Sequence, residues 1–125
     1  MDNPDSKTIL IAATDPNIVY LLQRYAETSG FQTVHCGFGD NLTRLARQVS
    51  PILVILQVEP QKFEWQQSLI RLKADPVTEQ IPIMAYSCID EIVCHQVDGF
   101  ASILQRSTLY SDFLTALKQA GVQTR

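Results

Sequence analysis

Ser87-Cys88 and Cys94-His95 bring a hydroxyl, two thiols and an imidazole close together in the chain, a set that could serve metal, redox or nucleophilic chemistry. Zinc ligation needs further cysteine or histidine at a set spacing, and His35 belongs to a separate predicted strand. Adjacent helical positions point apart, so Cys94 and His95 do not readily share an ion. No metal site follows, and no cofactor is expected. Ser87 has no histidine or lysine placed to activate it, so its hydroxyl is expected to bond local backbone. Cys88, beside Ser87 in a predicted loop, leaves a redox-sensing thiol as a lesser alternative. Gly37-Phe38-Gly39-Asp40 precedes a helix but lacks the lysine of a phosphate loop and the dinucleotide fingerprint. Among the carboxylates, Asp15-Pro16 reads as a helix cap followed by proline at the first helical position. Glu59 and Glu64 read as solvated loop charges. The most informative side chain is Gln57. It closes the apolar run Pro51-Ile52-Leu53-Val54-Ile55-Leu56-Gln57, which has the form of a buried parallel strand carrying one polar group to its carboxyl end.

These groups must be positioned by alternating strands and helices. Short apolar runs predict strands at Thr8–Ala12, Gln32–Cys36, 53–56, 81–86 and 100–104. The first, third and fourth are nearly all apolar, as strands covered on both faces should be, whereas Gln32, Thr33 and His35 suit an edge. Five helix candidates lie between and after them. The first carries Ile18, Leu21, Leu22, Tyr25 and Ala26 on one stripe and ends at Gly30. The second, with Asp40 as its expected cap, carries Leu42, Leu45, Ala46 and Val49 and stops at Pro51. Trp65, Leu69 and Leu72 face inward from the third, with Asp75-Pro76 as breaker. The fourth is short, over 90–97, and closes at Asp98-Gly99. The fifth is expected to be capped by Ser107 or Thr108, to bury Phe113, Leu114 and Leu117, and to stop near Gly121. Right-handed βαβ crossovers then give a doubly wound, flavodoxin-like α/β sheet of five parallel strands, order 2-1-3-4-5, with five helices. Functional groups are expected at the carboxyl ends of strands one, three, four and five.

The 125 residues are read as one domain, 1–125, with its core over about 7–121. An apolar content of 46% with 18% charged residues is ordinary for a folded globular chain. A net charge of −3 gives no attraction for phosphate backbones, which argues against nucleic-acid binding. No apolar run approaches the ~20 residues of a membrane span, and residues 1–7 carry no signal-peptide core. Cys36, Cys88 and Cys94 are odd in number and scattered, so no disulfide framework is expected and a cytoplasmic setting is the simplest reading.

With the run Ile9-Leu10-Ile11-Ala12-Ala13-Thr14-Asp15-Pro16, then 51–57, then Arg71-Leu72-Lys73-Ala74-Asp75-Pro76 leading to Ile81-Pro82-Ile83, the chain resembles a response-regulator receiver domain over residues 7–121. Receivers carry an acidic pair after strand one, a phosphoacceptor aspartate after strand three, a Thr or Ser after strand four and a lysine after strand five. The resemblance places the pair on Ala13 and Thr14, the acceptor on Gln57, the hydroxyl on Ser87 and the lysine on Arg106. Only Ser87 matches by type, and Arg106 keeps the charge. Glutamine cannot form an acyl phosphate, and without the carboxylates a magnesium ion loses its side-chain anchors. The family's proline after the lysine is here Ser107, where a cis bond would cost about 3 kcal/mol, so a trans peptide is expected. The aromatic switch position falls on Ile103, which is expected to pack as core.

The resemblance therefore implies a degenerate, pseudo-receiver signalling module of the two-component, phosphorelay type: not an enzyme, not phosphorylated, and acting by protein–protein interaction. With no output domain in the 125 residues, the signal is expected to leave through the surface. The family's contact face of fourth helix, fifth strand and fifth helix offers Asp90, Glu91, His95, Asp98, Arg106, Tyr110 and Asp112. That mostly acidic set implies a basic partner: a signalling kinase, an effector, or a second copy in a homodimer. The alternative is a small-ligand or anion sensor, using a vacated hollow lined by Ala13, Thr14, Gln57, Ser87 and Arg106.

Overall fold

Ile9, Leu10 and Ile11 fill the first strand between Thr8 and Ala12, and two later runs, Leu53–Val58 and Ile83–Ser87, are likewise buried at every position, so these three strands are covered on both faces. A computed structural model of the protein describes residues 7–37, 40–58, 64–87, 99–105 and 109–122. In chain order the elements are β1 (Thr8–Ala12), α1 (Pro16–Thr28), β2 (Gln32–Cys36), α2 (Asp40–Val49), β3 (Leu53–Val58), α3 (Glu64–Ala74), β4 (Ile83–Ser87), β5 (Ser102–Gln105) and α4 (Tyr110–Gln119). The strands form one parallel sheet of order β2-β1-β3-β4-β5, the expected flavodoxin-like topology. Four helices are found among the described residues rather than five. The helix expected over 90–97 lies outside them.

Period-two alternation splits the core in two. Ile9, Ile11, Leu53, Ile55, Met84 and Leu104 face α1 and α4, where Leu22, Ala26, Phe113 and Leu117 meet them. Leu10, Val54, Leu56, Ile83 and Ala85 face α2 and α3, where Leu42, Ala46, Trp65, Leu69 and Leu72 complete the second layer. Each fully buried aliphatic side chain contributes roughly 1.5–3 kcal/mol relative to exposure. Ile103 is half-buried and packs on the second layer. Leu114 is also only half-buried, and Ala116 takes the inward position with Phe113 and Leu117.

Local chemistry sets the boundaries. Asp15 caps α1, its Oδ1 accepting the Asn17 N–H at 2.9 Å, with Pro16 at the first helical position. At the other end, Gly30 takes φ of 95°, and the Phe31 N–H returns to the Ala26 carbonyl at 3.0 Å. Three strands, β3, β4 and β5, differ in their bounds from expectation. β3 continues past Leu56 to Val58, because its ladder with β4 extends to the pair Val58 and Ser87. β4 starts at Ile83 rather than 81, since Pro82 has no N–H to offer a ladder and Ile81 closes a turn onto the Thr78 carbonyl. β5 starts at Ser102, while Phe100 sets its ring 6.2 Å from that of Trp65. α4 also begins later than expected, with Leu109 at its N-cap in place of Ser107 or Thr108.

Candidate functional site

The carboxyl ends of β1 and β3 lie side by side, with Ala12 opposite Leu56 in the parallel register. The next residues, Ala13 and Gln57, are therefore neighbours at the edge where open α/β sheets place their ligands. Gln57 alternates with Leu53 and Ile55 on the α1 and α4 face, and it pairs with Tyr86 of β4. Its side chain is 4% exposed. The side-chain carbonyl, Oε1, accepts the backbone N–H of Thr14 at 2.9 Å and makes a longer contact, 3.4 Å, with the N–H of Asp15. Gln57 thus ties the end of β3 to the loop that leads into α1.

That loop is held from its other side too. The Ala13 N–H donates to the Cys36 carbonyl at 3.3 Å, and the His35 ring nitrogen Nε2 lies 2.9 Å from the Ala13 carbonyl oxygen. Ala13 is buried, Thr14 is exposed, and Asp15 is engaged as the cap of α1. The backbone N–H groups at the start of a helix are natural anion donors. Here the Thr14 N–H goes to a neutral amide oxygen and the Asn17 N–H to a carboxylate of the chain itself. Ser87, the last residue of β4, is 1% exposed and lies on the strand rather than in a loop after it.

The sequence-predicted site is thus assembled in part. Ala13, Thr14, Gln57 and Ser87 converge at one sheet edge. Arg106, which the resemblance puts at the lysine position, lies outside the described residues, and Gln57 accepts backbone N–H groups of the loop after β1. Of the predicted contact face, Asp90, Glu91, His95 and Asp98 also lie outside the described residues, as do Cys88, Cys94, Glu59 and the Arg106–Ser107 peptide. Asp112 is exposed on α4. Tyr110 is half-buried: its ring centroid is 5.2 Å from that of Tyr25, and its hydroxyl lies 2.8 Å from Ser29 Oγ, so it joins α4 to α1. Cys36 is half-buried, and burial pushes its thiol up to about 11, which keeps it protonated and unreactive at neutral pH. No group of three or more His, Cys, Asp or Glu among the described residues is placed to hold a metal. No described helix is long and apolar enough to cross a membrane.

Asp75 does more than break α3. Its Oδ2 accepts Arg47 Nε at 2.6 Å, and Arg47 Nη2 reaches the same oxygen. Its Oδ1 accepts the Val77 N–H at 2.8 Å, which shapes the turn after the helix. The hydrogen bond from Arg47 is the main reason its carboxyl is held below the usual range. Arg47 is 28 residues away in sequence, so no local pattern of residues marks this link.

The geometry is that of a known architecture. A putative response regulator from Chloroflexus aurantiacus superposes with a TM-score of 0.81 at 15% identity, over 94% of this chain and 99% of that one. The Vibrio cholerae chemotaxis protein CheY4 gives 0.80 at 12%, over 92% and 98%. The signal receiver domain of a Syntrophus aciditrophicus signal transduction histidine kinase gives 0.77 at 20%, over 92% and 89%. The fold is that of receiver domains. At these identities the likeness is one of fold, and no family model and no curated protein matches the sequence. In this chain β3 carries Gln57, bonded to the loop after β1.

Proposed function

We propose that the chain is a pseudo-receiver: a two-component-type signalling module that accepts no phosphoryl group and works through protein contacts. The observation that carries this reading is the hydrogen bond from the Thr14 N–H to Gln57 Oε1. An amide stands where the resemblance puts the nucleophilic carboxylate, and it is tied down by backbone rather than presented to a ligand. Ala13 and Thr14, in the place of the acidic pair, supply no carboxylate for a divalent cation. Phosphoryl transfer to such a site lacks its acceptor and the side-chain anchors for the cation that offsets the developing charge.

The same bond weakens the rival reading of an anion sensor. An anion at this edge would compete with Gln57 Oε1 for the Thr14 N–H. A thiol sensor gains nothing from Cys36, whose raised pKa leaves it protonated. A module without chemistry of its own must signal by binding, and Asp112 on α4 belongs to the acidic face through which a kinase, an effector or a second copy would bind.

The test is treatment of the whole protein with acetyl phosphate and Mg²⁺, followed by intact-mass spectrometry. An unchanged mass is expected. An acid-labile phosphoryl adduct at substantial occupancy would overturn the proposal.

A further inference from the structure

Three of the six arginines in the chain, Arg44, Arg47 and Arg71, line one cavity of about 480 Å³ on the face of α2 and α3. Thr43, Ala74 and Asp75 complete most of its wall. Asp75 is the one acid among the lining residues, and it is paired with Arg47. The lining therefore carries a formal excess of two positive charges on a protein whose net charge is −3. The Arg47–Asp75 pair also fixes the geometry, since it joins the last turn of α2 to the residue that follows α3, both of which line the cavity.

One further observation points to an occupant. The rim is apolar: Pro76 lines the cavity, and next to it Val77 is 61% exposed. Ile70, 66% exposed, stands one helical turn before Ala74 on the same face of α3. A small, fully hydrated anion gains nothing from exposed isoleucine and valine. A chain that alternates carboxylates with aliphatic side chains satisfies both features. Guanidinium groups take carboxylates in two-pronged hydrogen bonds, and the aliphatic groups cover the rim.

We propose that this arginine-lined groove docks an acidic, leucine-rich segment of a partner protein. The proposal deepens the reading of the chain as a protein-binding module and rests on it, while placing a second contact surface opposite in charge to the one that includes Asp112. Guanidinium groups at the groove set orientation and association rate, and the apolar rim supplies the contact that slows release.

The test uses the whole, isotopically labelled protein and a short synthetic peptide that alternates glutamate with leucine, titrated at low salt while amide resonances are followed. Shifts are expected at Thr43, Arg44, Arg71 and Ala74. Binding should weaken by about tenfold in the Arg44→Gln, Arg71→Gln double variant. It should also weaken with added salt, and when serine replaces leucine in the peptide. Both arginines are exposed, and the single Arg44→Gln variant keeps the test open should the double variant fold poorly. Shifts confined to other residues, or an affinity unchanged in either variant, would overturn the proposal. So would binding of inorganic phosphate or ATP at these residues with none of the peptide, which would make the groove a small-anion site. The two readings fail separately. A phosphoryl adduct in the mass measurement sinks the pseudo-receiver reading without touching the titration, and a silent titration removes only the groove.

Discussion

Gln57 Oε1 and the Thr14 backbone N–H are 2.9 Å apart, and this one bond joins two segments 43 residues apart in sequence. It sits at the carboxyl edge of the sheet, where open α/β sheets place their ligands, and it gives a buried polar side chain a structural task.

Replacing Gln57 with alanine removes that acceptor and opens space at the end of β3. The cost is expected to be about 1–2 kcal/mol, the range for a lost hydrogen bond that leaves a donor unmatched. Urea unfolding should show a lower midpoint with an unchanged slope. An unchanged midpoint would mean that the bond adds nothing to folding.

Gln57→Asp restores the chemical type of the acceptor but not the acidic pair. Its shorter side chain also withdraws from the Thr14 N–H. Acetyl phosphate with Mg²⁺ should leave this variant essentially unmodified by intact mass. Efficient modification would show that the backbone and Asp15 suffice to hold the cation.

Asp75 gives a pH dependence whose sign is determined by its partners. Its carboxyl is held below the usual range first by the Arg47 hydrogen bond and then by the Val77 N–H. The folded state therefore releases this proton more readily than the unfolded chain does. The resulting stability is present above the ordinary carboxylate pKa of about 3.9 and is lost as pH falls through the lower, folded-state value. Thermal unfolding of the wild type against Asp75→Asn should show a gap at neutral pH that narrows on acidification below about pH 4. A gap that stays constant across that range would contradict the assignment.

Charge reversal at Asp112 and Glu91 should weaken binding of a partner that uses the acidic face, with folding intact. Asp112 is exposed on α4, where such changes usually alter stability by less than about 0.5 kcal/mol. The loss should appear as slower association, clearest at low salt. Reversal at exposed Glu79, in the turn before β4, is the control. Equal effects from Glu79 would move the interface elsewhere.

Much of the fold was legible in the residues. The nearly all-apolar runs of β1, β3 and β4 announced strands covered on both faces, and the mixed Gln32–Cys36 run announced the edge where β2 lies. Asp15-Pro16 and Gly30 marked the ends of α1 because capping and left-handed termination depend on one or two side chains each. Boundaries governed by pairing were less legible. Whether β3 stops at Leu56 or runs to Val58 depends on how far β4 accompanies it, and Leu109 takes the cap of α4 despite two hydroxyl residues before it.

The sequence by itself determined which chemistry the sheet edge lacks: no nucleophilic carboxylate at Gln57 and none at Ala13 or Thr14. That follows from functional groups, which are a property of residue type. Tertiary structure decided what those residues do instead. By residue type alone, Gln57 is a side chain without a nucleophilic carboxylate; in the fold its amide oxygen bonds the backbone of Thr14. Asp75 was expected to end a helix, yet it holds an arginine from α2 as well. Both outcomes depend on the sheet register and helix packing that bring distant segments to hydrogen-bonding distance, and no local pattern of residues encodes that distance.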